Sequence, residues 1–597
     1  MGPSIYLLGV PRVVRDGSAV ALRGHKAWGL LAYLALNRGA VARQRLSSLL
    51  FEEAEDPLAA LRWNLSEIRR ALGDQVLRGD TLDFATVDAG YLDVHVVARG
   101  RWQDALAVPG LGRDLLEGLG FAASPAFEVW LNTERRRMHA TAQAVLREAA
   151  LSHLATNEAD DAAALASRLV ALNPLDENYQ VLLVRCLAAA GDGLGAARQA
   201  AACRSLFARE LGVEPGPALG AALTTTTATA TSRPAMGRPA AMAQLEAGEA
   251  AIGAGVLEAG LQCLRRAIVD ADSAGDPALR ARARVALGAA LVHAARGRDE
   301  EGSASLHEAL AIGREAAPVL AAAACRELGY IEFLRSAYDR ALTWLDQAEA
   351  LAVGDRAERA RIATVHGAIL SDTAQYGAAL SRLGEAHMLA EEVGDERQSI
   401  QAASMRGRAF LLRGELDAAA ATLEPAVARS RQLWTAYLPW PQSFRAELDL
   451  LQGRLERAAE RFEQAFALAC QLGDPCWEGV SGRGLGCVAA ARGQNDRAAD
   501  ILEDAVRRNG RLPDAYQWGR AYALEALCRC AVAKGQPRAS AFVDQLMTMA
   551  GKAGMRELLA RGHLHRAALG STANATAARA LASDIDSPSL TRLALYA

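Results

Sequence analysis

Seven residues between positions 62 and 70 carry side chains suited to recognition by hydrogen bonding and stacking: Arg62, Trp63, Asn64, Ser66, Glu67, Arg69 and Arg70. An arginine fork matches a phosphate or the acceptor edge of guanine, and asparagine suits adenine. Glutamate accepts from cytosine or orients a neighbouring arginine, and an indole packs on a thymine methyl or a sugar. This is the chemistry of binding, not of turnover. No phosphate loop, zinc-protease motif or nucleophile elbow occurs in the chain, so no catalytic residue, enzyme activity or cofactor is expected. The glycine-rich "GVSGRGLG" at 479–486 falls in a helical stretch and reads as close helix packing. Nine scattered cysteines form no C-x-x-C pair, which gives no sign of a disulfide framework or metal site. The Cys528/Cys530 and His563/His565 neighbours read as incidental.

The seven residues need a rigid element to present them. "DPLAALRWNLSEIRRALGD", Asp56 to Asp74, has the marks of one helix: a capping aspartate, Pro57 at the first position and Gly73 at the end. At about 100° per residue, Leu58, Leu61, Leu65, Ile68 and Leu72 form a core-facing stripe. Trp63, Ser66, Glu67 and Arg70 lie opposite it, with Arg62, Asn64 and Arg69 on the flanks. Upstream, 4–22 reads as short strands turning at Asp16-Gly17, and 25–36 and 42–50 read as helices. Downstream, 75–94 reads as strand pieces broken at Gly79-Asp80 and Ala89-Gly90. Strands, three helices and a hairpin are the order of a winged helix-turn-helix over residues 1–97, with the third helix as reader. Lys26, Arg43 and Arg78 complete its expected DNA-binding set. Residues 1–97 hold 11 Lys/Arg and 11 Asp/Glu, so binding has to rest on local patterning. The acids of "FEEAED" lie between the second and third helices, and Glu52, Glu53 and Glu55 are expected to face a basic surface of RNA polymerase.

Residues 98–223 differ: they form helical segments punctuated by Pro174 and Gly191-Asp192. "LRWNLSEIRRALG", "FEVWLNTERRRM", "LVALNPLDENY" and "CRSLFARELGVEPGPAL" follow one another in order. Together they resemble the SARP-like bacterial activators, in which an OmpR-type winged helix precedes a bacterial transcriptional activator domain. The resemblance covers about the first 223 residues. It implies binding to double-stranded promoter DNA, often at repeated sites, and recruitment of RNA polymerase. Leu58 stands where the family pattern commonly has an arginine, which removes an expected phosphate contact at the helix start.

Residues 224–240 are low-complexity Thr/Ala/Pro and read as a flexible linker. From 241 to 570, small residues recur near Gly248, Gly288, Gly329, Gly367, Gly407, Ala446, Gly486 and Ala526. Alanine stands 12 positions further on at Ala341, Ala379, Ala419, Ala458 and Ala498. This pairing resembles the tetratricopeptide pattern and predicts stacked helical hairpins. Gly-Asp pairs at 275–276, 354–355, 394–395 and 473–474 mark joints, glycine ending one helix and aspartate capping the next. Trp440, Trp477 and Trp518 fall near the start of successive first helices. They are read as packing between repeats or as an aromatic effector surface. A loosely ordered tail, 571–597, is expected.

The expected fold is therefore mainly α: an α+β winged helix, a helical activator domain and a C-terminal tetratricopeptide-like α-solenoid. The net charge of −3 excludes a polycation. Without a signal sequence or an apolar run of membrane length, a cytoplasmic location is expected. The favoured function is a DNA-binding activator whose repeats bind a regulatory protein or small molecule, with homodimerisation open. The alternative is a cytoplasmic scaffold whose winged helix binds protein.

Overall fold

The computed structural model describes residues 2–37, 40–73, 77–78, 82–84, 90–224, 236–512 and 514–595. The chain divides into two compact units, residues 1–145 with 528–597, and residues 146–527.

The first unit opens with β1 (Ser4–Tyr6), β2 (Arg12–Arg15) and β3 (Ser18–Val20). Asp16 and Gly17 both take positive φ, the conformation a two-residue hairpin loop demands, and Arg15 pairs with Ser18. Three helices follow, α1 (His25–Leu36), α2 (Arg43–Leu50) and α3 (Pro57–Leu72). A two-stranded hairpin comes next, β4 (Leu77–Arg78) with β5 (Asp83–Phe84), in antiparallel register. β6 (Tyr91–Leu92) returns parallel to β1, so the sheet order is β3-β2-β1-β6. This is the expected winged-helix order. The turn expected at Gly79-Asp80 lies outside the described residues.

α4 (Asp93–Arg99), α5 (Trp102–Leu106) and the long α6 (Pro125–Ala155) complete the N-terminal segment. The apolar core does not pause at residue 97. It runs from Ile5 to Met138 and includes Phe121, Phe127 and Leu131. Phe127 and Trp130, from the "FEVWLNTERRRM" stretch, pack at a tilt against Phe121 and Tyr33 respectively. Arg135 of the same stretch donates to the carbonyls of Leu115 and Leu116.

In the second unit, the end of α6 is followed by α7 (Ala159–Leu172), α8 (Glu177–Ala189), α9 (Gly193–Glu210) and α10 (Pro217–Thr224). Residues 225–235 of the expected linker lie outside the described residues, and helix resumes at Arg238, within the span assigned to it. Helical hairpins then follow: α11 (Arg238–Gly253) with α12 (Leu257–Ala274), α13 (Pro277–His293) with α14 (Asp299–Ala316), and α15 (Pro318–Leu334) with α16 (Tyr338–Leu351). They continue as α17 (Arg356–Asp372) with α18 (Tyr376–Glu392), α19 (Glu396–Arg413) with α20 (Leu416–Leu433), and α21 (Pro439–Leu451) with α22 (Leu455–Leu472). α23 (Pro475–Ala491) with α24 (Asn495–Asn509) and then α25 (Gln517–Ala533) close the series.

The spacing of small residues does what backbone proximity requires. A Cβ on Gly367 or Gly407 would meet Leu383 or Leu423 at 2.5 Å, and Ala341, Ala379, Ala419, Ala458 and Ala498 are fully buried. The "GVSGRGLG" glycines serve the same end, since a Cβ on Gly484 would strike Phe462. All four aspartates act as read, and so do three of the glycines; α16 already ends at Leu351, so Gly354 turns the connection rather than ending the helix. The glycines at 275, 354, 394 and 473 take positive φ. Asp276, Asp355, Asp395 and Asp474 accept from backbone N–H groups of the next helix.

α6 is bound to the repeats by buried charge. Arg147 donates to Glu300 at 2.8 Å, to Glu332 at 2.6 Å and to Ser303 at 3.2 Å, while Glu148 accepts from Arg340. Burial alone would raise the Glu300 carboxyl, but Arg147 and Arg335 outweigh it and hold the group at about 2. The last third of α6, from Leu146, is thus built into the repeat unit.

The last helices belong to the first unit: α26 (Ala539–Ala553), α27 (Arg556–Ala568), α28 (Thr572–Ser583) and α29 (Pro588–Leu595). The loose tail expected from 571 is instead α28 and α29, with Ala578, Ala582, Ile585, Leu590 and Ala594 buried. Alternating alanines had masked an amphipathic stripe. Asp584 reaches α2, where it pairs with Arg45, and Ser583 accepts from the same guanidinium at 3.4 Å.

Candidate nucleic-acid interface

α3 is capped as its sequence requires, with the Asp56 carboxylate accepting from the Ala59 N–H at 2.8 Å and Pro57 in the first turn. Leu61, Leu65, Ile68 and Leu72 are buried, which fixes the helix's orientation. Opposite them Arg62, Trp63, Ser66 and Arg70 are exposed, and Glu67 and Arg69 are half-buried. Trp63 keeps 52% of its surface in solvent while the rim of its ring lies over Gly24, where a Cβ would stand 3.4 Å from it. Glu67 and Arg70 form an ion pair at 2.5 Å, so Glu67 holds the guanidinium in place. Arg62 lies 3.8 Å from Asp56 at the helix start.

Two expected positions differ. Asn64 is only 5% exposed, and its Nδ2 donates to the Ala60 carbonyl at 2.8 Å. It faces Gly24, whose missing side chain leaves the room, so Asn64 does not read bases in this arrangement. Its Oδ1 is buried without a hydrogen-bond donor. Leu58, expected in the core stripe, is 46% exposed, because the first turn of α3 projects beyond the core.

Lys26 opens α1 with its ammonium 5.4 Å from the Phe51 ring, and Arg43 opens α2. Arg78 is in β4, paired in register with Asp83, and its side chain lies outside the described residues. The hairpin is fastened to the loop before α2 by reciprocal Val41–Leu82 backbone hydrogen bonds of 2.8 Å. Glu52, Glu53 and Glu55 are exposed in the connection between α2 and α3.

Asp93 carried no recognisable signal in the sequence. It is fully buried and accepts from the N–H groups of Leu7, Leu8 and Val94 at 2.7–2.9 Å, tying β1 to α4. Burial pushes its carboxyl up, against the pull of those donors.

The tryptophans of the repeat unit are not an open surface. Trp440 and Trp518 are buried and Trp477 is half-buried. The Arg408 guanidinium stacks 4.5 Å from the Trp518 ring centre and 5.8 Å from that of Trp440. Trp477 lies edge-on to Tyr437 at 6.0 Å. The expected effector surface at Trp440 and Trp518 is thus corrected to an interior cluster, in which Arg408 packs on both indoles and Tyr516 and Tyr522 stack on Trp518. Among the described residues no group of His, Cys, Asp and Glu could hold a metal, and no helix is long and apolar enough to cross a membrane.

Residues 82–224 match the family model of the bacterial transcriptional activator domain. No curated protein matches the chain. Among solved structures it is similar to a Rap protein complexed with competence and sporulation factor, at 15% identity over 59% of this chain and 99% of that one, TM-score 0.43. It is also similar to Mycobacterium tuberculosis EmbR in complex with a low-affinity phosphopeptide, at 20% identity over 38% and 65%, TM-score 0.30. A third likeness is to the APC/C hetero-tetramer Cut9–Hcn1, at 15% identity over 76% and 96%, TM-score 0.31. Residues 82–224 thus match a bacterial transcriptional activator domain, and they are followed by helical hairpins of tetratricopeptide-like arrangement.

Proposed function

We propose that the chain is a sequence-specific DNA-binding transcriptional activator whose helical repeats take a regulatory protein or ligand. The observation that carries the reading is the face of α3. Arg62, Trp63, Ser66 and Arg70 stand open to solvent opposite Leu61, Leu65, Ile68 and Leu72, which are buried. A helix held by its apolar side and presenting arginines on the other fits the major groove, where guanidinium groups meet phosphate and guanine. The activator-domain match at 82–224 supports the same reading. Glu52, Glu53 and Glu55, outside that face, are the acids offered to RNA polymerase. Promoter fragments recovered by genome-wide mapping supply the operator, and its affinity should fall steeply with salt as bound cations displace counterions.

The second reading, a scaffold whose winged helix binds protein, draws on the balanced charge of residues 1–97 and on Leu58, an exposed leucine at the start of α3. A flat salt titration with every recovered fragment would favour it.

A further inference from the structure

The interior of the repeat unit contains a piece of the chain that is not a repeat. The joint before α25 runs from 510 to 516, where the joints before α13 and α23 are the pairs Gly275-Asp276 and Gly473-Asp474. Its end, Asp514 to Tyr516, enters the cluster described above. The Asp514 carboxylate accepts from the Gly297 N–H at 2.5 Å, across 217 positions. The Tyr516 hydroxyl accepts from Arg408 at 3.0 Å and donates to Asp372 at 2.7 Å, and its ring packs on Phe333. Arg408 and Asp372 form a fully buried pair at 2.6 Å. The indole Nε1 of Trp440, beside them, is buried without an acceptor.

A buried ion pair is an expensive way to hold helices together, because well-packed apolar residues do as well or better. Arg408, Asp372 and Trp440 come from three successive first helices, α19, α17 and α21, so the repeats alone assemble the polar floor. What satisfies it is a short irregular segment bearing one carboxylate and one phenol. The segment is held through its side chains, the carboxylate by one backbone N–H and the phenol by the Arg408–Asp372 pair, with its ring on Phe333.

We propose that the interior of the repeats is a peptide site for an acidic residue followed two positions later by an aromatic hydroxyl, occupied in this structure by the chain's own Asp514 to Tyr516. The inference rests on the reading that the repeats take a regulatory ligand, and it names the class. A tethered occupant competes at an effective concentration on the order of millimolar, so an incoming peptide must bind better or wait for the segment to leave.

The test uses the full chain and a labelled peptide of residues 514–520, blocked at both ends. Asp514→Ala with Tyr516→Ala should bind it at least about tenfold more tightly than wild type, the intramolecular competitor having been removed. A folded double variant that binds it no better overturns the proposal. Should that variant fail to fold, Asp514→Asn with Tyr516→Phe keeps the shapes but loses the carboxylate charge and the phenol's hydrogen bonds to Arg408 and Asp372, so it should still bind the peptide more tightly than wild type, and no gain overturns the proposal. In wild type, saturating peptide should speed hydrogen exchange over the chain's own residues 514–516, which it displaces from the interior, and unchanged exchange there also overturns the proposal. Operator binding measured alongside separates the two readings: if it persists while the peptide result is negative, only this inference falls.

Discussion

Arg45 and Asp584 form an ion pair across 539 positions of sequence, inside one compact unit. The pair is partly exposed, so Asp584→Ala should cost about 1 kcal/mol or less. Truncation after Gly570 removes α28 and α29 and uncovers the surface on which Ile585 and Leu590 are buried, about 1.5–3 kcal/mol for each large apolar side chain. Chemical denaturation should therefore rank wild type above Asp584→Ala and both above the truncation. Equal stability of all three would mean that the C-terminal helices contribute nothing to this unit.

On the reader helix, Arg69→Ala and Arg70→Ala should each weaken operator binding by about 1–3 kcal/mol if they contact bases, or weaken every sequence alike if they hold phosphate. Asn64→Ala should leave sequence preference as it was, because its side chain serves the Ala60 carbonyl. Titrations against operator and scrambled DNA distinguish these effects. A changed preference in Asn64→Ala would return that residue to the groove.

Arg147→Ala should cost about 3–5 kcal/mol, since it strands the buried Glu332 carboxylate and takes one of two guanidinium partners from Glu300. Arg147→Met combined with Glu332→Leu should recover most of the loss. A fragment ending near Leu223 carries Arg147 and Glu148 without Glu300, Glu332 or Arg340, so it should lose helix or aggregate. Circular dichroism and sedimentation of that fragment provide the check.

Burial pushes His307 down to about 3, with Arg147 adding to the effect and Glu300 opposing it. An unfolded histidine titrates near 6.5, so unfolding takes up a proton between those values. Stability present above pH 6.5 is lost progressively as pH falls toward about 3. Glu300, held at about 2, adds a loss in the same direction below its unfolded value near 4.5. His307→Gln should flatten stability between pH 6.5 and 4.5. Identical slopes for variant and wild type would exclude His307 as the source.

Glu52, Glu53 and Glu55, all exposed between α2 and α3, allow a separation of binding from activation. Replacing the three with alanine should leave operator affinity unchanged and reduce transcription in a purified system. Full activation by the triple variant would remove the acids from the polymerase contact.

The winged helix and the repeats were legible because their signals are local. Asp16-Gly17 sets a turn, Asp56-Pro57 starts a helix, and a glycine with an alanine 12 positions later lets two helices touch. What was hidden depends on residues far away. Asn64 turns inward because Gly24, from another element, leaves space beneath it. Trp440 and Trp518 were placed on the right helices, but Arg408, which packs on both, and Tyr516, which meets Trp440 from 76 positions away, have no fixed spacing to them. Arg147 looks like any other arginine of an amphipathic helix until Glu300 and Glu332 are placed beside it. The α3 face was the most legible part of the candidate site, and its exceptions lie at the helix start and on the flank, where 100° geometry decides least.

The Gly-Asp joints have a consequence for how the protein comes apart. Each joint specifies its own corner, so each hairpin can form with only its neighbours, and an array of that kind frays from its ends and melts piecemeal. The Tyr516–Asp372 and Asp514–Gly297 hydrogen bonds span 144 and 217 positions. They tie distant members of the array to one another and penalise any partly melted intermediate that has lost one partner. A stack that would otherwise unzip becomes a body that opens as a whole, and release of three residues at 514–516 is enough to restore the softer behaviour.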